Sequence, residues 1–260
     1  EWVLGDDDPE RPHPLRVASP NWPGPPRREG APLGDADGEA ALRRREQALF
    51  DRRAQEHGGH AFAWFSGARW FSRTPIVLAS PERTVLRYDV KASPSFDDAT
   101  RADLTRDTKQ ALAFAGIGAA LEKQSDGAAE IAALDAALRE TAAIVLAPFR
   151  AEYLGTHPTT LEPVFSFEHR HLAFEELPRG ARHLLAIVTM SVRTLAAAYP
   201  LGERPIRERE GVLVVDDLEA QQDAPILRHL PALLRTALPR AQWILATSAP
   251  AVTLGCERGE

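Results

Sequence analysis

A chain of 260 residues with 44% apolar and 26% charged residues can bury a core of its own and has the composition of a soluble globular protein. No apolar run approaches the roughly 20 residues of a membrane span, no secretory leader pattern is present, and the single Cys256 excludes an internal disulfide, which together point to the cytoplasm. The net charge of −6 leaves nucleic acid open as a partner but gives it no support, since the one compact basic run, Arg43–Arg45, lies in a helical pattern as a solvated face.

The chain starts at Glu1 rather than methionine, with Met190 internal, and stops at Gly259-Glu260 just after an apolar strand pattern; it therefore reads as a piece of a longer protein. Residues 1–38 are dense in Pro, Gly and Asp and are expected to be loop or linker. A helix is expected from Glu39 to His57, ending at Gly58-Gly59. Short strands are expected at Phe62–Phe65, Ile76–Leu78 and Thr84–Tyr88, so that residues 39–97 form a partial N-terminal lobe. Two Ala/Leu-rich helices, Asp98–Glu122 and Ala128–Leu146, are broken at Ser125-Asp126-Gly127, and they define a helical hairpin subdomain over 98–150.

From residue 151 onward a C-terminal lobe is expected. Strands are predicted at Val164–Phe167, His171–Phe174, Val212–Val215 and Trp243–Ala246, with helices at Ala181–Ala198 and Leu227–Ala237. That alternation predicts an α/β fold, a mostly parallel sheet flanked by helices.

The sharpest signal is Gly211-Val212-Leu213-Val214-Val215-Asp216-Asp217. Four apolar residues suit a strand buried on both faces, and two carboxylates follow at the C-terminal end, where open α/β sheets bind ligands. A carboxylate there can hold Mg²⁺. Upstream lies Phe174-Glu175-Glu176-Leu177-Pro178-Arg179-Gly180, leading into a helix whose N-terminal amides suit a phosphate. Downstream lies Trp243-Ile244-Leu245-Ala246-Thr247-Ser248-Ala249-Pro250.

In order and spacing these segments resemble the signature, Walker B and switch elements of ABC/SMC/RecF-like (AAA-type) P-loop ATPases. The resemblance covers residues 164–260, and reaches with less detail back to the hairpin at 98–147. It implies ATP and Mg²⁺ as cofactors, with Asp216 on the metal and Asp217 orienting the attacking water. It further implies that Leu177, Gly180 and Ser248 contact nucleotide, and that a homodimer closes around ATP. Pro178 and Arg179 replace the usual Ser and first Gly of the signature. Ser248 stands where the family has a histidine, and Asp217 is one methylene shorter than the family's glutamate. The phosphate loop, Gly-x-x-x-x-Gly-Lys-Ser/Thr, is absent: none of Lys91, Lys109 and Lys123 follows a glycine. ATP hydrolysis is thus one expectation and a catalytically impaired nucleotide-binding scaffold the other.

Other combinations are weaker. His57-Gly58-Gly59-His60 and His169-Arg170-His171 lack further metal ligands nearby, and Cys256 has no histidine-bearing motif beside it. Glu219 is expected to be polar surface, and Arg69 carries no assigned role.

Overall fold

The computed structural model describes residues 2–4, 15–17, 61–67, 69, 71–73, 76, 104–121, 128–199 and 204–257. The chain divides into two compact units, Glu1–Arg53 and Ala54–Glu260. In the first, strands β1 (Trp2–Leu4) and β2 (Leu15–Val17) pair antiparallel within the Pro/Gly-rich segment. The expected helix at 39–57 and strands at 76–78 and 84–88 lie outside the described residues, apart from Ile76.

The second unit is α/β. Its parallel sheet has the order β3 (Ala61–Phe65), β7 (Gly211–Val215), β8 (Ala241–Leu245), with β7 in the centre. The register is flush: Phe65 lies beside Val215, which lies beside Leu245, so the three strands end level with one another. One face of this sheet packs into the core through Ala61, Phe65, Leu213 and Val215, while Phe62, Trp64 and Ile244 on the other remain exposed.

Helices α1 (Leu104–Ala120) and α2 (Ala128–Leu146) form the expected hairpin. Both pack against α3 (Arg179–Ala198), which also packs on β3. Leu184, Leu185, Ile187, Val188, Val192 and Leu195 recur three or four residues apart and are buried, the apolar stripe that holds a helix onto a core. A side chain on Gly211 would press on Ala61 and on Leu195 of α3, so glycine lets the helix lie close to the central strand. A single core runs from Leu112 through Val145 to Val252, across the hairpin and the C-terminal lobe alike.

The structure corrects the expected strand order. Strands β5 (Pro163–Phe167) and β6 (Arg170–Ala173) do form, but as an antiparallel hairpin, and β4 (Ala151–Thr156) joins them in a separate three-stranded sheet. The turn explains the difference: Glu168 and His169 both have positive φ, 48° and 66°, the conformation of a tight two-residue hairpin turn. The expected helix at 227–237 is two, α4 (Ala224–Leu227) and α5 (Leu230–Ala237), the latter beginning just before Pro231. A last short helix, α6, covers Pro250–Thr253.

Candidate functional site

Because the parallel strands end level, the segments leaving them are forced together. The ladder runs one residue past each end: the Asp216 amide donates to the Phe65 carbonyl and the Ala246 amide to the Val215 carbonyl, both at 2.9 Å. The Leu218 amide then donates to the Ala246 carbonyl at 3.1 Å. Ser66-Gly67, Asp216–Glu219 and Ala246–Ser248 therefore form one rim at the C-terminal edge of the sheet.

Asp216 and Asp217 sit at the tip of the central strand. Asp216 is half-buried and Asp217 exposed. Asp216 Oδ1 accepts the Asp217 amide at 3.1 Å. Asp217 has φ of 46°, a left-handed conformation that costs a non-glycine residue about 1 kcal/mol and that aspartate tolerates better than most. Gly67 lies against the Asp217 carboxylate, and a side chain there would meet Asp217 Oδ2 and turn it aside, so the end of β3 borders this carboxylate directly.

Two residues without an assigned role in the sequence hold the rim. Arg69 is only 7% exposed, and its guanidinium reaches four carbonyls. Nη1 donates to Asp216 at 2.6 Å, to Ser66 at 2.7 Å and to Phe65 at 3.3 Å; Nη2 donates to Asp217 at 2.8 Å. Burial pushes the Arg69 pKa below its ordinary value, and the Asp217, Asp216 and Glu219 carboxylates oppose that shift. Glu219 is the second. Its Oε1 accepts the Ser248 amide at 2.7 Å and the Ser248 hydroxyl at 2.6 Å; its Oε2 accepts the Thr247 hydroxyl at 2.5 Å. Burial alone raises a carboxyl pKa, but the donors from Ser248 and Thr247 outweigh it and hold Glu219 at about 2. The Asp-Asp-x-Glu spacing offered a signal for Glu219. Arg69 offered none, because its partners Asp216 and Asp217 lie almost 150 residues away.

The three residues assigned to nucleotide contact are placed as follows. Leu177 is 2% exposed and belongs to the core. Gly180 is buried at the start of α3, where a side chain would meet Gln222 Oε1, the Phe149 ring and the Gln221 carbonyl. Ser248 is exposed on the rim, but its hydroxyl proton is already given to Glu219. An occupied donor leaves Ser248 Oγ as an acceptor, which suits a water or an N–H group better than a phosphate oxygen.

The acidic turn and the start of α3 are neighbours. Gln222 Nε2 donates to the Gly180 carbonyl at 3.2 Å, and Arg179 Nη1 donates to Gln221 Oε1 at 3.4 Å. On α3, His183 is 4% exposed with its ring centroid 4.7 Å from that of Phe71, and the Arg182 guanidinium carbon lies over the same Phe71 ring, 5.7 Å from its centroid. Burial, then Arg69, then Arg182 lower the His183 pKa to about 4, so the ring is neutral.

Among the described residues no group of three His, Cys, Asp or Glu side chains converges as a metal cage. That holds for His169 and His171, both exposed, and Cys256 donates only a long contact to the Val252 carbonyl at 3.9 Å. A Mg²⁺ held by one carboxylate together with phosphate oxygens and water needs no cage, and the half-buried Asp216 fits that role with one oxygen engaged by the Asp217 amide. Among the described residues no helix is long and apolar enough to cross a membrane. Comparison of the sequence with protein-family models and with curated proteins finds no match.

Proposed function

We propose that this chain carries the acidic-turn half of a nucleotide-hydrolysing site of the ABC/SMC/RecF-like P-loop type. The observation that carries the reading is the position of Asp216 and Asp217: they leave the middle strand of a parallel sheet, level with the ends of both neighbours and beside the first turn of α3. That is where open α/β sheets gather ligands. In this reading Asp216 holds Mg²⁺, which supplies charge neutralisation for the transferring phosphoryl group. Asp217, exposed and with no carboxylate-to-guanidinium bond among the described residues, orients the attacking water. A second copy closes on the nucleotide, so that nucleotide binding and homodimer formation are one event; at the start of α3 the exposed Arg179, rather than the buried Leu177 and Gly180, is accessible to meet it. Phosphate-cradling amides are also required, and no Gly-x-x-x-x-Gly-Lys run of this chain supplies them. Its own affinity for ATP is therefore expected to be weak.

The test is Mg²⁺-dependent phosphate release from ATP by the complete gene product, with Asp217→Ala as the comparison. Loss of a water-orienting group is expected to slow turnover on the order of a hundredfold with little change in KM. Undiminished turnover in the variant removes Asp217 from this role.

A second reading, a nucleotide-binding scaffold without turnover, is favoured by Ser248. This residue carries no charge, and its one proton is committed to Glu219. On that reading Mg·ATP drives association of two copies while neither the unaltered protein nor Asp217→Ala releases phosphate.

A further inference from the structure

We infer that Arg69 is the positioning residue of the acidic turn: its guanidinium gathers the carbonyls of Asp216 and Asp217 and so fixes where their two carboxylates stand. This rests on the proposed reading only insofar as those carboxylates face metal and water.

The geometry points to it in three steps. The carbonyls of Asp216 and Asp217 belong to consecutive residues, yet both are bonded from the same guanidinium, at 2.6 and 2.8 Å. Consecutive carbonyls converge on one donor only where the chain folds sharply, and Asp217 is the residue with the left-handed φ. The same Nη1 also reaches the carbonyls of Phe65 and Ser66, which end β3. Arg69 therefore ties the tips of two adjacent strands into one piece. Its planar fork is suited to this, since several N–H vectors diverge from a rigid group, whereas a lysine offers one flexible point.

A purely electrostatic role predicts the opposite response to mutation. Arg69 is a cation close to Asp216, Asp217 and Glu219. If charge were its whole contribution, it would weaken cation binding at the turn, and removing it would strengthen that binding. If it positions the carboxylates, removing it weakens binding. The two accounts differ in sign.

The experiment titrates Mn²⁺ into the isotope-labelled 260-residue chain and follows paramagnetic broadening of the Asp216, Asp217 and Leu218 amide resonances. It compares the unaltered protein with Arg69→Gln and Arg69→Lys, each first shown to be folded by its amide dispersion. Positioning predicts that both variants need about tenfold more Mn²⁺, the change that a loss of about 1.4 kcal/mol produces. It also predicts that both lose the strong intraresidue HN–Hα cross-peak that a left-handed Asp217 gives. Tighter Mn²⁺ binding by Arg69→Gln overturns the inference, as does an Arg69→Lys protein that matches the unaltered one in both readouts. If the unaltered chain shows no broadening, the metal reading of Asp216 falls, while the Asp217 cross-peak in the two variants still decides whether Arg69 sets the turn. Should Arg69→Gln not fold, Arg69→Lys alone separates the accounts, because it keeps the charge and removes the fork.

Discussion

Lys109 and Arg69 are both buried cations in the same compact unit, and they are neutralised in different ways. Lys109, 2% exposed on α1, bonds two carboxylates, Glu162 at 2.7 Å and Glu175 at 2.8 Å. Burial lowers its pKa, but the hydrogen bonds to Glu162 and Glu175 outweigh that, and the net shift is upward. Among the described residues Arg69 bonds only neutral carbonyls, and its net shift is downward. Lys109 is part of the scaffold: it joins α1 to the strand-and-turn region before α3, and its charge is spent locally. At the rim the charges are solvated by dipoles instead, Arg69 by carbonyls and Glu219 by hydroxyls and an amide. Charges held that way keep their field, which is what a site needs if it is to act on a charged ligand.

The largest effect is expected on the scaffold side. Lys109→Met leaves Glu162 and Glu175 facing each other without a cation. Removing one partner of a buried ion pair costs about 3–5 kcal/mol, and the lower end applies here because both carboxylates keep some contact with water. Chemical denaturation should show that loss. Adding Glu162→Gln and Glu175→Gln to the same protein should recover most of it; a triple variant as unstable as the single one would mean that Lys109 contributes by packing, and the contrast with Arg69 would fail.

Glu219 comes next. Glu219→Ala leaves the Ser248 amide and two hydroxyls without their acceptor, at a cost of about 2 kcal/mol near neutral pH. Its folded pKa of about 2 lies below the ordinary 4.5, so its contribution is complete above about pH 4.5 and is lost as the pH falls toward 2. Stability measured against pH should therefore fall less steeply across that window in Glu219→Ala than in the unaltered protein. Parallel acid limbs would show that the carboxylate is not held as the geometry indicates.

What could be read from the sequence was what local pattern controls. The apolar run of β7, the Ala/Leu periodicity of α1 and α2 and the amphipathic α3 all formed close to where composition placed them, and with β7 came the position of Asp216 and Asp217. The antiparallel sheet was missed because β4, Ala-Glu-Tyr-Leu-Gly-Thr, has little strand signal, and because the β5–β6 turn uses Glu168 and His169 where Asn or Gly would have announced it. Glu219 was visible as a residue but not as a latch, since its partners lie 28 and 29 positions on. Arg69 and Lys109 depend on partners distant in sequence, 147 and 148 positions on for Arg69 and 66 for the Lys109–Glu175 pair. Such partnerships are made by topology, and no periodicity encodes them.

His183 gives the finest probe of the contrast, and the smallest expected effect. Burial is the first cause of its low pKa, the charge of Arg69 the second and that of Arg182 the third; the Phe71 ring is its aromatic neighbour. A histidine held neutral to about pH 4 adds stability that is complete above about 6.5 and is lost as the pH falls from 6.5 to 4, because the unfolded chain binds the proton first. If the Arg69 charge is felt beyond its carbonyl partners, Arg69→Gln should raise the His183 midpoint, read from its ring proton shifts, while leaving it below 6.5 because burial and Arg182 remain. Lys109→Met should leave that midpoint where it was, since the Lys109 charge is cancelled by its own carboxylates. A His183 midpoint that ignores Arg69→Gln would mean that the carbonyl dipoles quench the guanidinium as fully as Glu162 and Glu175 quench Lys109, and the two buried cations would then differ in partners but not in consequence.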